Sequence, residues 1–457
     1  MQIKTQETLK EALPGSALFR DWLQGDLEAA FLAPETRSAS RELALALRGG
    51  SAGGQESPPL FQSSWVSPWA DSVSADLPTE NDRVLFRKDL AALQSGQAQV
   101  VVTGQQPGFL GGPLYTLLKI ATAVAVARIR TANGSPTVPV FWSGDADDDL
   151  AEALNPVVWD PATGALHRGP PLPKPGSGGR FSRLGTMARD PWTAAGSDWL
   201  TEVSHGPGAG SLPVDLAAIW RMAIDEGWTW ARLTRRSLLR TFSGQGLMVV
   251  SGDDPGLHAA AGPLYQKILA RTGELADKTV RRGEDLTAAG WHAQINARSA
   301  ARPLFATDGN RRIPLPPGDD PPEAGLLRPG VMLRSPVQDW LLKPAAVVVG
   351  PGELAYLRQL DPVYQALGIE RSPLVPRLFA WLVPPNFSPD LLTIFREQGR
   401  DDPQEVERLA QQAEDGALTI LQNILVGELG LDPDRADSLA AGRARRWRKG
   451  VAAMLKD

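Results

Sequence analysis

Short apolar runs that end in glycine recur through the middle of the chain, and each is followed by a stretch with helical spacing. Ala98 to Thr103 (AQVVVT) runs into Gly104-Gln105-Gln106-Pro107-Gly108, and PLYTLLKIATAVAVARI then repeats its apolar residues with a helical period. Pro113 stands where the first turn of a helix tolerates proline. Thr137 to Trp142 (TVPVFW) reads as a second strand after a Gly-Ser-Pro turn. Strand, glycine loop, helix and strand make a βαβ unit, whose crossover is expected to be right-handed. The pattern returns twice. Gly246 to Ser251 (GLMVVS) leads into Gly252-Asp253-Asp254-Pro255-Gly256 and a helix. Ala345 to Val349 (AAVVV) leads into Gly350-Pro351-Gly352-Glu353 and the helix LAYLRQLDPVYQAL. Unbroken apolar runs suit strands covered on both faces. The fold class this predicts is α/β, a doubly wound parallel sheet.

The flanks read differently. Residues 1–95 are expected to be mainly helical and to pack on the core, with a Gly/Ser-rich loop near Gly49 to Pro59 and several tryptophans after it. The sheet-bearing core then spans 96–383, with an insertion around 156–240. Within the insertion, the Pro/Gly-rich stretch Pro161 to Gly185 is a poor sheet candidate and reads as an inserted flap. From 384 to 457 the pattern is helical and rich in Gln and Glu, ending in a basic helix, Ala440 to Lys456. The most apolar stretch, Leu114 to Ile129, is interrupted by Lys119 and Arg128. It is too short and too charged for a bilayer span and reads as a buried helix. With no signal-peptide pattern at its start, the expectation is a soluble, cytoplasmic protein without a membrane partner.

Composition narrows the chemistry. A formal net charge of -5 gives no electrostatic reason to expect nucleic acid as a partner. The absence of cysteine excludes disulfides, thiolate zinc sites and a cysteine nucleophile within the chain. The four histidines, at 167, 205, 258 and 292, include no pair with metal-ligand spacing.

In an open α/β sheet, ligands bind outside the carboxyl ends of the strands. Three loops there carry candidate chemistry. Gly104, Gln105 and Gln106, with Gly108, Gly111 and Gly112, combine close backbone approach with two amides for a polar substrate. The alternative is a turn that only packs the helix onto the sheet. The loop matches neither a Walker sequence nor a GxGxxG fingerprint. Asp145 to Asp149, with Glu152 behind, concentrates carboxylates at a strand end. A Mg²⁺ ion, a substrate amine or a general-base role would relieve their repulsion, and a solvated helix-capping run is the alternative. Gly350, Gly352 and Glu353, with Tyr356, repeat the strand–turn–helix arrangement. His292 and Gln294 form a polar pair in a segment that looks strand-like, WHAQ.

Taken together, VVTGQQPGFLGGPLYTLLKIATA, PVFWSGDADDDLAE, GLMVVSGDDP, WHAQINA and VMLRSPVQDWLLKPAAVVVGPGELAYLRQLDPVY with LVPRL resemble the bacillithiol-biosynthesis cysteine-adding enzyme family, BshC, over roughly residues 98 to 380. The resemblance implies a Rossmann-like core with inserted connecting segments and a C-terminal helical, coiled-coil-like element through which members form homodimers. It implies a ligase that adds L-cysteine to glucosaminyl malate, with ATP or another nucleotide activating the carboxyl group and Mg²⁺ as a candidate partner, or a close variant acting on another amine.

On that reading Asp147, Asp149, Glu152 and His292 are the catalytic candidates, with Asp147 and Asp149 the candidate Mg²⁺ ligands. Gly104, Gln105, Gln106, Gln294, Gly350, Gly352, Glu353, Tyr356 and Arg377 (in LVPRL) are the candidates for binding substrate or nucleotide. The chain departs from the family pattern in two places. Asp148 stands where the family has histidine and Ala146 where it has glutamate, and the C-terminal element is shorter. A binding homologue without catalysis is the second reading. A metal-dependent sugar-nucleotide transferase using Asp147 and Asp149 as a DxD pair is the third.

Overall fold

The computed structural model describes residues 2–4, 38–48, 60–146, 157–159, 166–169, 196–201, 214–307, 312–315, 321–378 and 381–383, with isolated positions beyond. The chain divides into two compact units, Gly15–Ala380 and a unit made of Met1–Pro14 with Trp381–Asp457. In the second unit Gln2–Lys4 pairs antiparallel with Trp381–Val383. The helical segment expected over 384–457 lies almost wholly outside the described residues.

In the larger unit the strands of the five-stranded and three-stranded sheets are β1 (Gln99–Gln105), β2 (Thr137–Ser143), β3 (Met248–Ser251), β4 (Leu304–Thr307), β5 (Arg312–Pro314), β6 (Leu327–Pro329), β7 (Ala346–Val349) and β8 (Leu374–Pro376). Helices α1 (Ala39–Leu47), α2 (Val66–Asp76) and α3 (Glu80–Gln94) precede the sheet, and α4 (Leu114–Ala132) connects β1 to β2. Helices α5 (Val214–Asp225) and α6 (Trp230–Thr241) lie before β3; α7 (Pro255–Ala260), α8 (Gly262–Leu269) and α9 (Thr272–Ala288) follow it. Helix α10 (Val331–Leu342) precedes β7; α11 (Pro351–Gln359) and α12 (Asp361–Leu367) link β7 to β8.

The main sheet is parallel throughout, in the order β8-β7-β1-β2-β3. The chain therefore runs outward from β1 to β3, then returns to the other side of β1. That reversal creates a switch point between the carboxyl ends of β1 and β7, where open sheets of this kind form a crevice.

The period of two along β1 explains how both faces are covered. Val100 and Val102 join the core that contains Trp65, Trp69 and Val73 of the N-terminal helical region. Val101 faces the other way, into a cluster with Ala46 of α1 and Ala123 and Val126 of α4. All three valines are essentially inaccessible. A third, tryptophan-rich core holds Trp199, Trp220, Trp228 and Trp230 around Phe109, which belongs to the turn after β1.

Two sheet elements differ from the sequence expectation. Strands β4, β5 and β6 form a small antiparallel sheet in the order β5-β4-β6 that the apolar pattern does not announce. Leu166–Arg168, inside the stretch read as a poor sheet candidate, pairs antiparallel with Val157–Trp159. Valine and tryptophan fit a pleated surface well enough to hold three residue pairs between proline-rich neighbours. The rest of Pro161 to Gly185 lies outside the described residues.

Candidate functional site

A cavity of about 210 Å³ opens at the switch point. Gly104, Gln105 and Gln106 line it from the end of β1, and Trp142 and Gly144 from the end of β2. Arg334, Ser335 and Gln338 reach it from α10, and Glu353, Tyr356 and Leu357 from α11, with Val347 and Val349 of β7 between them. The structure thus brings together the first and third candidate loops.

Local sequence explains the walls. Gly104 pairs with Trp142 in the β1–β2 ladder. A Cβ at Gly104 would lie 2.8 Å from the Trp142 carbonyl oxygen, so the strand end needs glycine there. Pro351 opens α11, and the backbone N–H of Gly350 donates to the Glu353 carboxylate at 2.8 Å, capping the helix with its own side chain. Behind this turn Lys119 of α4 is 3% exposed at its side chain and sits 2.5 Å from Glu353 Oε2. Its ammonium also donates to the Gly104 carbonyl and to Gln105 Oε1, both at 2.9 Å.

Electrostatics favours a polar ligand. Burial pushes the Tyr356 hydroxyl well above its ordinary range, and the charge of Glu353 adds to this. The phenol therefore stays protonated at neutral pH and can donate. Burial lowers the Arg377 guanidinium, while Glu353 and Tyr115 oppose the shift. Arg377 packs against the Gly350 turn, its guanidinium carbon 5.9 Å from the centre of the Tyr115 ring. Among the described lining residues, Arg334 is the cation.

The glycines after Gln106 serve packing. Gly111 and Gly112 have φ of 104° and 91°, and their N–H groups donate to the carbonyls of Gly108 and Phe109. A Cβ at Gly108 would lie 2.6 Å from the Gly112 Cα. At the start of α11 the Gly350 amide is taken by Glu353. Among the lining side chains, the charge of Arg334 suits an anionic group.

The acidic candidates Asp147, Asp149 and Glu152 lie outside the described residues. The root of their segment is held firmly. Asp145 is buried and accepts from the Ser251 hydroxyl at 2.8 Å. Ser251 in turn accepts from the Asp253 N–H at 3.2 Å, and Arg328 donates to Asp253 at 2.6 Å on the carboxylate and 2.7 Å on the carbonyl. The segment therefore departs from the same carboxyl edge that Gly144 contributes to the crevice. Among the described residues, no group of three or more His, Asp or Glu forms a metal centre.

The strand-like reading of the segment that carries His292 and Gln294 requires a correction. Their segment is irregular rather than a strand, because the backbone groups it offers are taken by a buried side chain. The Gln359 amide accepts from the N–H groups of Gln294 and Ile295 at 3.1 and 2.9 Å, and donates to the Ile295 carbonyl at 2.7 Å. Both candidate side chains are exposed. Gln294 lies near Gly352, where an added Cβ would be 3.9 Å from its amide nitrogen, and neither residue lines the crevice. Sequence reasoning missed Lys119, Trp142, Arg334, Ser335 and Gln338. The signal for Lys119 was present, since a lysine within an apolar helix needs a partner. Arg334 and Gln338, four apart, share a helix face.

The model of the family described as "Bacillithiol biosynthesis BshC, N-terminal Rossmann-like domain" matches residues 76–321 and 319–378. A relative from Koribacter versatilis, named "Putative cysteine ligase BshC", is 31% identical over 338 residues, covering 69% of this chain and 61% of that protein. A relative of the same name from Geobacillus thermodenitrificans is 27% identical over 347 residues, covering 70% and 62%. The chain thus spans about three fifths of the length of these curated relatives. A solved chain of Leishmania major tyrosyl-tRNA synthetase, in complex with tyrosinol, shares 11% identity at a TM-score of 0.24. It covers 85% of this chain and 50% of that one, a likeness too slight to argue from.

Proposed function

The chain belongs to the BshC family, and on that premise we propose that it is a ligase joining the carboxyl group of L-cysteine to the amine of glucosaminyl malate. The observation that carries the reading is the crevice itself, set at the switch point within the family-matched segment and lined by amides, hydroxyls, a carboxylate and one guanidinium. Gln105, Gln106, Gln338 and Ser335 suit the hydroxyls of a sugar, and Arg334 suits a carboxylate such as those of malate.

Amide formation needs an activated carboxyl group. A nucleoside triphosphate such as ATP would supply the activation, giving an acyl-phosphate with release of the nucleoside diphosphate or an acyl-adenylate with release of pyrophosphate. The glucosamine nitrogen then attacks the acyl carbon, its proton passes to a base, and phosphate or the nucleoside monophosphate leaves. Asp147, Asp149 and Glu152 are the groups we assign to the attacking amine, as base or as Mg²⁺ ligands, since their segment leaves from the edge of the crevice. Tyr356 and Glu353 form the opposite wall. Gln294 and His292 remain peripheral candidates for polar contact with a larger ligand.

Asp148, in place of the family's histidine, is the observation that keeps a binding-only homologue in view, because an anion beside a phosphate opposes its charge. A mass-spectrometric assay with cysteine, glucosaminyl malate, ATP and Mg²⁺ decides between them. The expected result is the amide product, lost in the Asp147→Ala variant. Absence of product from the wild-type protein, with glucosaminyl malate still bound in calorimetry, would select the binding-only reading. Release of a nucleoside diphosphate from a sugar nucleotide with Mn²⁺ would select a transferase.

A further inference from the structure

The backbone ladder that joins β7 to β1 is short. Its pairs are Ala346 with Val101 and Val347 with Val102. Beyond them β1 continues beside β2 as far as Gln105, while Val348 and Val349 continue beside β8. The two halves of the sheet therefore separate at the switch point, and the crevice lies in that separation. The side chains of Thr103 and Lys119 bridge it. The Thr103 hydroxyl donates to the Val348 carbonyl at 3.1 Å. Deeper toward the ligand side, the Lys119 ammonium takes Gly104 and Gln105 from one half and Glu353 from the other.

The count of donors is informative. A lysine ammonium has three N–H groups and no acceptor. Its three acceptors are at 2.5, 2.9 and 2.9 Å, which leaves no proton for a substrate and no lone pair for nucleophilic attack. The same chemistry fixes the Gln105 amide, because only its oxygen can face an ammonium. The NH₂ end is thereby the end turned from Lys119, with a long 3.5 Å contact to the Tyr115 hydroxyl.

We propose that Lys119 is a positioning residue that ties the carboxyl end of β1 to the first turn of α11, setting the width of the crevice and the hydrogen-bonding polarity of Gln105. Its effect on substrate rests on the function proposed above; its effect on the two segments does not.

Hydrogen exchange by mass spectrometry and steady-state kinetics test it together on the full chain. In Lys119→Met, segments 103–108 and 349–354 are expected to exchange at least tenfold faster, in step with one another, while β3 is unchanged. KM for glucosaminyl malate is expected to rise tenfold or more with kcat within threefold of wild type, and Lys119→Arg, which keeps the charge and adds donors, is expected to recover most of both effects. Unchanged exchange in the two segments, or loosening of only one of them, overturns the proposal. So does a fall in kcat with KM unmoved. If Lys119→Met does not fold, Glu353→Gln, which keeps the side chain's shape and removes its charge, is measured instead, with the same coordinated loosening expected and its absence decisive. If the wild-type protein makes no amide product, the ligase reading falls, and the exchange result alone decides the role of Lys119.

Discussion

Asp339 shows how much one buried side chain can govern. It lies on α10 beside Gln338 of the crevice wall and is 3% exposed. One carboxylate oxygen accepts from the Tyr364 hydroxyl at 3.1 Å and the Ser372 N–H at 3.2 Å. The other has no hydrogen-bond partner among the described residues. Burial pushes this carboxyl up to about 6, against the two hydrogen bonds and the charge of Arg371. Its ordinary value is 3.8, so between that pH and about 6 the folded state keeps a proton that the unfolded chain releases. The contribution to stability is complete below 3.8 and is lost as pH rises through about 6. Asparagine accepts the same two hydrogen bonds without a charge to bury. Asp339→Asn is therefore expected to lose this slope and to exceed the wild type at pH 8, by up to about 3 kcal/mol for a shift of this size. Urea unfolding at pH 4, 5, 6 and 8 measures the difference, and parallel curves for the two proteins would rule the account out.

At the scale of elements, α5 and α6 act on the crevice without lining it. Trp220 of α5 is fully buried, with its ring centre 4.8 Å from Phe109 and 5.5 Å from Trp230 of α6. Phe109 belongs to the turn that follows Gln106, so this tryptophan core fixes the outer side of the β1 loop. Trp220→Ala is expected to cost roughly 3–5 kcal/mol in urea unfolding. It should also speed exchange in residues 107–112 more than in the β1–β2 ladder; loss of stability with uniform exchange would mean that the core does not brace the turn. Elements of this kind were unequally legible. The runs AQVVVT, TVPVFW, GLMVVS and AAVVV announced the strands because both faces of a parallel sheet are apolar, and the glycine turns marked their carboxyl ends. The wall made by α10 left no such mark. Arg334, Ser335 and Gln338 follow β6 of the small antiparallel sheet rather than a strand of the main sheet, so only the topology brings them to the crevice. Lys119 appeared as an interruption of an apolar helix, and its partners lie at the end of β1 and the start of α11, over two hundred residues apart in sequence. The small β4–β5–β6 sheet was missed because three- and four-residue strands are too short for a period to register.

For the larger unit as a whole, the first described helix is bound to the last strands by charge that no sequence pattern reveals. Glu42 of α1 is completely buried. It pairs with Arg358 of α11, lies 3.3 Å from Arg371, and accepts the Leu374 N–H at 2.5 Å, while Arg371 also holds Asp361 at 3.2 Å. Burial alone would raise the Glu42 carboxyl; Arg371, Arg358 and the Leu374 N–H overcome it and hold the group below its ordinary value of 4.5. This contribution to stability is present above 4.5 and is lost as pH falls through the lower folded value, opposite in sign to Asp339. Breaking such a pair leaves two guanidinium groups buried without their shared anion, so Glu42→Gln is expected to cost on the order of 3–5 kcal/mol at pH 7. The deficit should shrink as pH falls through the lowered folded value, where the wild-type carboxylate itself protonates. Replacing Glu42, Arg358 and Arg371 by methionine, with Asp361→Asn so that no charge is left without its partner, is expected to cost less than the single change, since burying a satisfied ion network adds little over apolar packing of similar volume. Urea midpoints for the single and fourfold variants at pH 7 separate the cases. A fourfold variant less stable than Glu42→Gln would show instead that the ion network itself, rather than the penalty of breaking it, holds α1 against the edge of the sheet.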